Sequence, residues 1–280
     1  MEFYQSEKIS PSTTKITNIG DVACFLVEGS QRAVLIDTGT GAGDLKAHVK
    51  KLTDKPIEVI LTHGHSDHAA GAAPFDTVYL SEGDWELVQY HASMDMKKGY
   101  ISFILGERYS EVSEDELCPE RTTGYLPLKD GQTFDLGGVT LEAISVPGHT
   151  QGMTCILNRE ERTILFGDAC NPAVFLWDQE AVSVEEYRES LLHLKTYEDR
   201  YDTIYLSHGM TTVDKAILDN VIAVCDDILQ GSSDAQPFYF MDYQGLKLAK
   251  AADENRNRLD GGLGNIVYNE KKIFKSQVGV

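Results

Sequence analysis

The chain has 280 residues, of which 42% are hydrophobic and 25% charged. That composition belongs to a globular protein with enough apolar material for a sizeable core, and it excludes disordered, collagen-like and coiled-coil classes. Lys and Arg number 25 against 44 Asp and Glu, a formal charge of −19. Such a field opposes phosphate backbones, and no run of Lys or Arg gathers positive charge on one face, so no nucleic acid and no membrane is expected among the partners. The polar opening, Met1 to Thr14, lacks the apolar stretch of a secretory signal. Nothing approaches the roughly 18 apolar residues of a membrane span. Five Cys (Cys24, Cys118, Cys155, Cys170, Cys225) contain no C-x-x-C pair and read as reduced, structural thiols. The expectation is a soluble, cytoplasmic protein.

Taken in chain order, the apolar runs Val22–Val27 and Ala33–Ile36 flank a polar turn and predict a hairpin. Helical spacing over Asp44–Leu52 stops at Pro56, and Ile57–Leu61 reads as a buried strand. A short strand at Val78–Leu80 precedes a helix from Ser81 to about His91. Residues 94–124 form the least regular segment, read as an insertion. Strand patterns return at Tyr125–Leu128, Thr140–Ser145, Thr154–Leu157 and Thr163–Phe166. Ser183-Val184-Glu185-Glu186 is a capping box for a helix reaching about Tyr197. Thr203–Leu206 predicts a strand and Val213–Leu229 a helix. Strands followed by helices, twice over, predict an α/β protein with two packed sheets and helices outside. The expected organisation is one domain over residues 1–230, with a C-terminal extension, 231–280, packing on it.

The eight His carry the chemical signal. The strand Ile57–Leu61 runs into Thr62-His63-Gly64-His65-Ser66-Asp67-His68. In extended chain His63 and His65 point the same way, while Asp67 and His68 start a helix and face elsewhere. Four ligand-type side chains within six residues suffice to hold two cations side by side. His149 follows a strand and the Pro147-Gly148 turn, Asp168 follows Thr163–Phe166, and His208 follows Thr203–Leu206. Each stands just past a strand end, where sites in sheet proteins assemble. Any one of them alone is a turn or core residue, but the seven together predict a metal site.

His63-x-His65-x-Asp67-His68 followed in order by His149, Asp168 and His208 resembles the metallo-β-lactamase superfamily of metallohydrolases, and Leu35-Ile36-Asp37-Thr38-Gly39 is similar to its early strand-turn element. The resemblance spans Val22 to Gly209 and implies a four-layer αβ/βα sandwich with metals at one edge of the two sheets. It implies that His63, His65 and His149 hold one ion, that Asp67, His68 and His208 hold a second, and that Asp168 bridges them. Asp37 would stand behind the ligands and fix an imidazole's orientation; a plain turn Asp is the alternative. The all-imidazole and carboxylate donor set suits two Zn²⁺, with Fe²⁺ or Mn²⁺ open.

The activity so implied is hydrolysis of a thioester, ester or lactone of a small molecule by a metal-bridging hydroxide, with Asp67 orienting the nucleophile or accepting its proton. Asp168 at the bridging place argues against antibiotic hydrolysis, and His65 argues against the flavin-coupled diiron members. What remains looks like the glyoxalase II and lactonase branch, although Asn171 stands where acyl-homoserine lactonases carry Tyr and no glutathione-binding tail is recognisable. The alternatives are a phosphodiesterase of small substrates, a mononuclear iron persulfide dioxygenase, and a non-catalytic binding relative. The aromatics Tyr90, His91, Tyr100, Phe103 and Tyr109 are expected to pack the 94–124 segment onto the body or a second subunit of a homodimer, with an apolar substrate pocket as the alternative. Arg256-Asn257-Arg258 offers an anion contact, with solvated surface the plainer reading. His48 and His193 read as ordinary helical residues.

Overall fold

The computed structural model describes residues 1–177, 179–240, 243–254 and 257–275. The first sheet runs in chain order through β1 (Tyr4–Lys8), β2 (Thr13–Asn18), β3 (Val22–Glu28), β4 (Ala33–Ile36), β5 (Ile57–Ile60), β6 (Val78–Leu80) and β7 (Leu126–Pro127). Pairing is antiparallel from β1 to β4 and parallel from β4 onward. The second sheet takes β8 (Thr133–Asp135), β9 (Thr140–Ser145), β10 (Thr154–Asn158) and β11 (Thr163–Gly167). After β12 (Val174–Leu176) has crossed to a third sheet, β13 (Thr203–Leu206) and β14 (Thr212–Val213) complete the second. In the third sheet β12 is joined by β15 (Gln236–Phe240), β16 (Tyr243–Leu248) and β17 (Ile266–Asn269), in the order β12-β17-β16-β15. The chain after Gly231 is thereby hydrogen-bonded to a strand of the main body through the parallel β12–β17 pair.

Period-2 alternation assigns the layers. On β3, Phe25 and Val27 turn inward and meet Leu141, Ala143, Ile156 and Leu165 of the second sheet. Their neighbours Cys24 and Leu26 face outward, onto α1 (Leu45–Val49), α2 (Ser66–Ala69) and α3 (Trp85–His91), through Leu45, Val49, Ala69 and Val88. The outer face of the second sheet is covered by α5 (Val184–Lys195) and α6 (Ala216–Leu229), with α4 (Met94–Leu105) lying between α3 and that point in the chain. Tyr187, Leu191, Leu194, Leu218, Val221 and Cys225 supply the helix side of that cluster. Helix, sheet, sheet, helix is the four-layer αβ/βα sandwich expected from the sequence. Among the described residues no helix is long and apolar enough to cross a membrane. All five Cys are buried and free.

Local chemistry explains where the elements stop and start. Ser183 accepts from the Glu186 backbone N–H at 3.2 Å while Glu186 accepts from the Ser183 N–H at 3.3 Å, closing the capping box of α5. The helix predicted from Val213 begins at Ala216, because Thr212 and Val213 pair antiparallel with β13. The larger correction concerns residues 94–124. Their first twelve residues form α4, capped by Ser93, whose hydroxyl accepts from Met96 N–H at 3.4 Å, and ended by Gly106 at φ 56°. Gly99 and the Lys97-Lys98 pair mask its apolar stripe in the sequence, yet Ile101 is fully buried against Ala42 and Leu117.

Candidate metal centre

All the residues predicted for the site lie at one end of the two packed sheets. Asp37 follows β4 and the His63–His68 run follows β5, two parallel neighbours, while Asp168 follows β11 and His208 follows β13, again parallel neighbours. Carboxyl ends of adjacent parallel strands open toward one crevice, which is why residues more than a hundred positions apart converge. Gly167 makes the last turn of β11 at φ 56°, in the left-handed region that glycine enters without strain, and swings Asp168 into the crevice. His149 comes from the β9–β10 loop, where Gly148 packs so closely on Tyr187 that an added Cβ would stand 2.4 Å from the ring.

One carboxylate oxygen organises the cluster. Asp168 Oδ2 lies 3.4 Å from His208 Nε2, 3.6 Å from His68 Nε2, 3.7 Å from His149 Nε2 and 4.0 Å from His63 Nε2. Asp67 Oδ2 adds approaches of 3.5 Å to His208 and 3.8 Å to His68. His68 Nδ1 donates to Asp37 Oδ2 at 2.9 Å, and His149 Nδ1 donates to the Phe175 carbonyl at 2.9 Å. Those acceptors take the Nδ1 proton of each ring and leave Nε2, which faces the Asp168 carboxylate, as the atom that could ligate an ion. Imidazole nitrogens and carboxylate oxygens gathered this closely share cations, either protons, as between His68 Nε2 and His208 Nε2 at 3.2 Å, or metal ions. His63 Nε2 is fully buried with no hydrogen-bond partner, an atom that likewise calls for a Lewis acid. The donor set therefore fits divalent ions, through His63, His65 and His149 on one side and Asp67, His68 and His208 on the other.

The electrostatics follow from burial and crowding. Burial, reinforced by His68 and His65, holds His63 well below the usual imidazole range. His65 is pushed down to about 4, chiefly by burial, against the pull of Glu180. Burial alone would raise Asp168, but His208 and His68 outweigh it and hold the carboxyl well below its ordinary value. Asp67 is lowered in the same way, burial being overcome by His68 and His208.

Asp37 makes contacts that a plain turn residue would not. Besides His68 it takes the Thr62 backbone N–H at 2.7 Å and the Thr62 hydroxyl, so one buried carboxylate sets both the imidazole and the exit of β5. It does so from φ 61°, a left-handed conformation that Asp tolerates better than most residues.

Three residues make contacts around the cluster that were not assigned to them from the sequence. Asp84, wholly buried, accepts from Gly64 N–H at 2.9 Å, Thr150 Oγ1 at 2.7 Å and Gly152 N–H at 2.7 Å, tying the His63–His65 turn to the His149 loop. Glu180 joins His65 Nε2 and His91 Nε2, each at 2.9 Å, which leaves Nδ1 of His65 for an ion. Asp84 packs so closely on Gly64 and Gly152 that a Cβ added at Gly152 would stand 2.7 Å from its carboxyl carbon, a proximity with no signal in the sequence. The third is Tyr100, named as an aromatic but expected to pack: its hydroxyl donates to Asp67 Oδ2 at 2.9 Å.

The centre opens into a cavity of about 680 Å³. His91, Tyr100 and Phe103 line it, which corrects the expectation that these aromatics only pack the 94–124 segment. Tyr109 does pack, against Ala42, Ile101 and Leu117. Tyr90 is largely exposed and stacks edge-on with His91. In the tail, Arg258 is a clamp and no anion contact: it binds Asp260 at 2.9 and 2.5 Å and the Gly264 carbonyl at 3.0 Å. Asn257 lines the cavity, and Arg256 lies outside the described residues. Asn171 reaches Asp168 Oδ1 at 3.4 Å.

Paired sheets between helices, with an imidazole and carboxylate cluster at their shared edge, define a metal-binding hydrolase fold. The chain belongs to the metallo-beta-lactamase superfamily, whose profile matches residues 17–208. It is 25% identical over 169 residues to the acyl-coenzyme A thioesterase MBLAC2 of Homo sapiens, covering 51% of this chain and 56% of that protein. It is 30% identical over 148 residues to the thioesterase pkgB of Emericella nidulans, covering 51% of this chain and 34% of that one. The chain thus spans about half or less of the length of these relatives. Among solved structures, a double mutant of the sec-alkyl sulfatase PisA1 superposes with a TM-score of 0.64 at 16% identity, over 81% of this chain and 42% of the other, a likeness of fold.

Proposed function

We propose that this chain is a metal-dependent hydrolase that cleaves a thioester, ester or lactone of a small molecule at a centre of two divalent ions, zinc being the first choice. The observation that carries the reading is the single oxygen, Asp168 Oδ2, faced by the Nε2 atoms of four imidazoles within 4.0 Å, a crowding of donors that suits bound cations. The named thioesterase relatives favour a thioester within that class. Bound divalent ions supply Lewis acidity and lower the pKa of a coordinated water from about 16 toward 7.

The chain's own residues do the rest. Asp67 receives the Tyr100 hydroxyl on Oδ2, which fixes the carboxylate where it would orient the attacking water or accept its proton. Glu180, Asp37 and the Phe175 carbonyl each hold one imidazole in its ligating tautomer. The apolar and aromatic side chains lining the cavity lower the local dielectric, which strengthens the charge interactions beside them.

The test is metal content on protein purified without added metal, followed by a panel of thioester, ester, lactone and phosphodiester substrates. About two divalent ions per chain with thioester or lactone turnover supports the reading. One iron per chain with oxygen consumption, or turnover of none of the panel, overturns it.

A further inference from the structure

One wall of the cavity is aromatic, and the third sheet builds it. On β12, Val174 and Leu176 enter the core, so Phe175 and, one step past the strand, Trp177 stand on the other face. On β15, Phe240 occupies the matching face beside Phe238, and Tyr243 opens β16 directly opposite Phe240. The Trp177 ring lies 4.3 Å from Phe175, 5.2 Å from Phe240 and 5.5 Å from Tyr243, centroid to centroid. These are the separations of a packed aromatic cluster, yet none of the four rings belongs to a core cluster and all four line the cavity. Phe103 and Met210 extend the apolar surface at the mouth and are 60% and 55% exposed. Large apolar groups left facing a cavity mark a place for an apolar ligand.

Two further facts define that ligand. The wall is fastened to the metal centre, since the Phe175 carbonyl holds His149 Nδ1. A group seated on the rings is therefore next to the reacting atoms. In addition, no Lys or Arg lines the cavity among the described residues, while Asp67, Asp168 and Glu180 do. A carboxylate or phosphate lodged against the wall would lose its hydration with no side-chain cation to replace it. Phe175 and Trp177 lie inside the superfamily match, which ends at residue 208, while β15 and β16, which carry Phe240 and Tyr243, lie beyond it.

We propose that Phe175, Trp177, Phe240 and Tyr243 form the acyl subsite, and that the substrate carries a neutral acyl group with a flat, apolar or aromatic face. This rests on the hydrolase reading above. The test has two arms, so that the two ideas fail separately. In the first, thioesters of one thiol carrying acetyl, hexanoyl, 2-naphthoyl or succinyl groups are compared. The naphthoyl thioester should exceed acetyl in kcat/KM by at least about tenfold, and succinyl should be the poorest. Trp177→Ala and Phe240→Ala should each lower the naphthoyl-to-acetyl ratio of kcat/KM about tenfold, through the KM for the naphthoyl thioester. Hydrolysis indifferent to the acyl group, or fastest with succinyl, overturns the subsite; hydrolysis of no ester, thioester or lactone overturns the hydrolase reading instead.

The second arm needs no turnover. Trp85 and Trp177 are the two tryptophans of the chain. Neutral 2-naphthamide should saturably quench tryptophan fluorescence of metal-free protein, with the quenched component lost in Trp177→Phe. Phe240→Ala should weaken its binding about tenfold, and the 2-naphthoate anion should bind about tenfold more weakly than the amide. Absence of saturable quenching, or equal binding of the anion, overturns the proposal whatever the enzyme assay gives.

Discussion

Asp37→Asn isolates the role of one carboxylate without disturbing the backbone. Residue 37 sits at φ 61°, and Asn is as well suited to that left-handed conformation as Asp. In the native chain Oδ1 accepts the Thr62 backbone N–H at 2.7 Å and Oδ2 accepts His68 Nδ1–H at 2.9 Å. The amide has one oxygen. The Thr62 N–H is buried and cannot turn away, so the oxygen stays there and the NH₂ meets His68. Two donors do not pair, so the ring shifts to its Nε2–H form and points a proton at Asp67 and Asp168 instead of a lone pair. Loss of an orienting carboxylate typically weakens metal binding about 10–100-fold, or about 1.4–2.7 kcal/mol. The expected result is that loss at the ion held by Asp67, His68 and His208, with less than about threefold change at the ion held by His63, His65 and His149. Competition with a chromophoric chelator reads both sites, and circular dichroism checks that the variant is folded. Unchanged affinity at both sites would refute the tautomer argument, and equal loss at both would refute the assignment of His68 to one of them.

Asp168→Ala and His65→Ala should each yield folded protein with lower metal content than the parent and activity reduced at least about 100-fold; full activity from either breaks the site as drawn. Asp84→Ala strands the N–H groups of Gly64 and Gly152 in a buried place and should cost about 2–4 kcal/mol in chemical denaturation, where a change below about 0.5 kcal/mol would show that the three bonds do not hold the loops together. Glu142 gives a prediction in pH. Burial would raise its carboxyl, but hydrogen bonds and charge from Arg200 and Arg159 outweigh it and set the folded value below the ordinary one. Its contribution is therefore present above the unfolded value of about 4.3 and lost as pH falls through the folded value. The stability difference between the parent and Glu142→Gln should shrink below about pH 4 in denaturant titrations, and a difference that grows with acidity would contradict the sign.

How much of this was legible beforehand depends on where the information resides. Seven ligand-type residues at strand ends were readable because sheets bring strand ends together, and because three imidazoles and a carboxylate within six positions have no bland joint explanation. The αβ/βα layering was readable from strand and helix patterns together with that ordered set. The α4 helix was not, since its stripe is broken by Gly99 and two lysines and its burial rests on Ala42 and Leu117 from elsewhere. Glu180 is 115 positions from His65, and as an isolated acidic residue in a turn it looks like solvated surface; only the path of the chain after β12 brings it to the imidazole. The aromatic wall shows the same dependence in sharper form. Phe175, Trp177, Phe240 and Tyr243 come from two stretches more than sixty positions apart, and their meeting depends on the parallel pairing of β12 with β17 and on the order of β15 and β16 beside it. Ligand chemistry is concentrated in residue types, so it survives in the sequence; the shape that selects a substrate is concentrated in register, so it emerges only with the fold. A family shares the first and its members diverge in the second, which is why the acyl subsite, and not the metal ligands, is where this protein's own specificity should be sought.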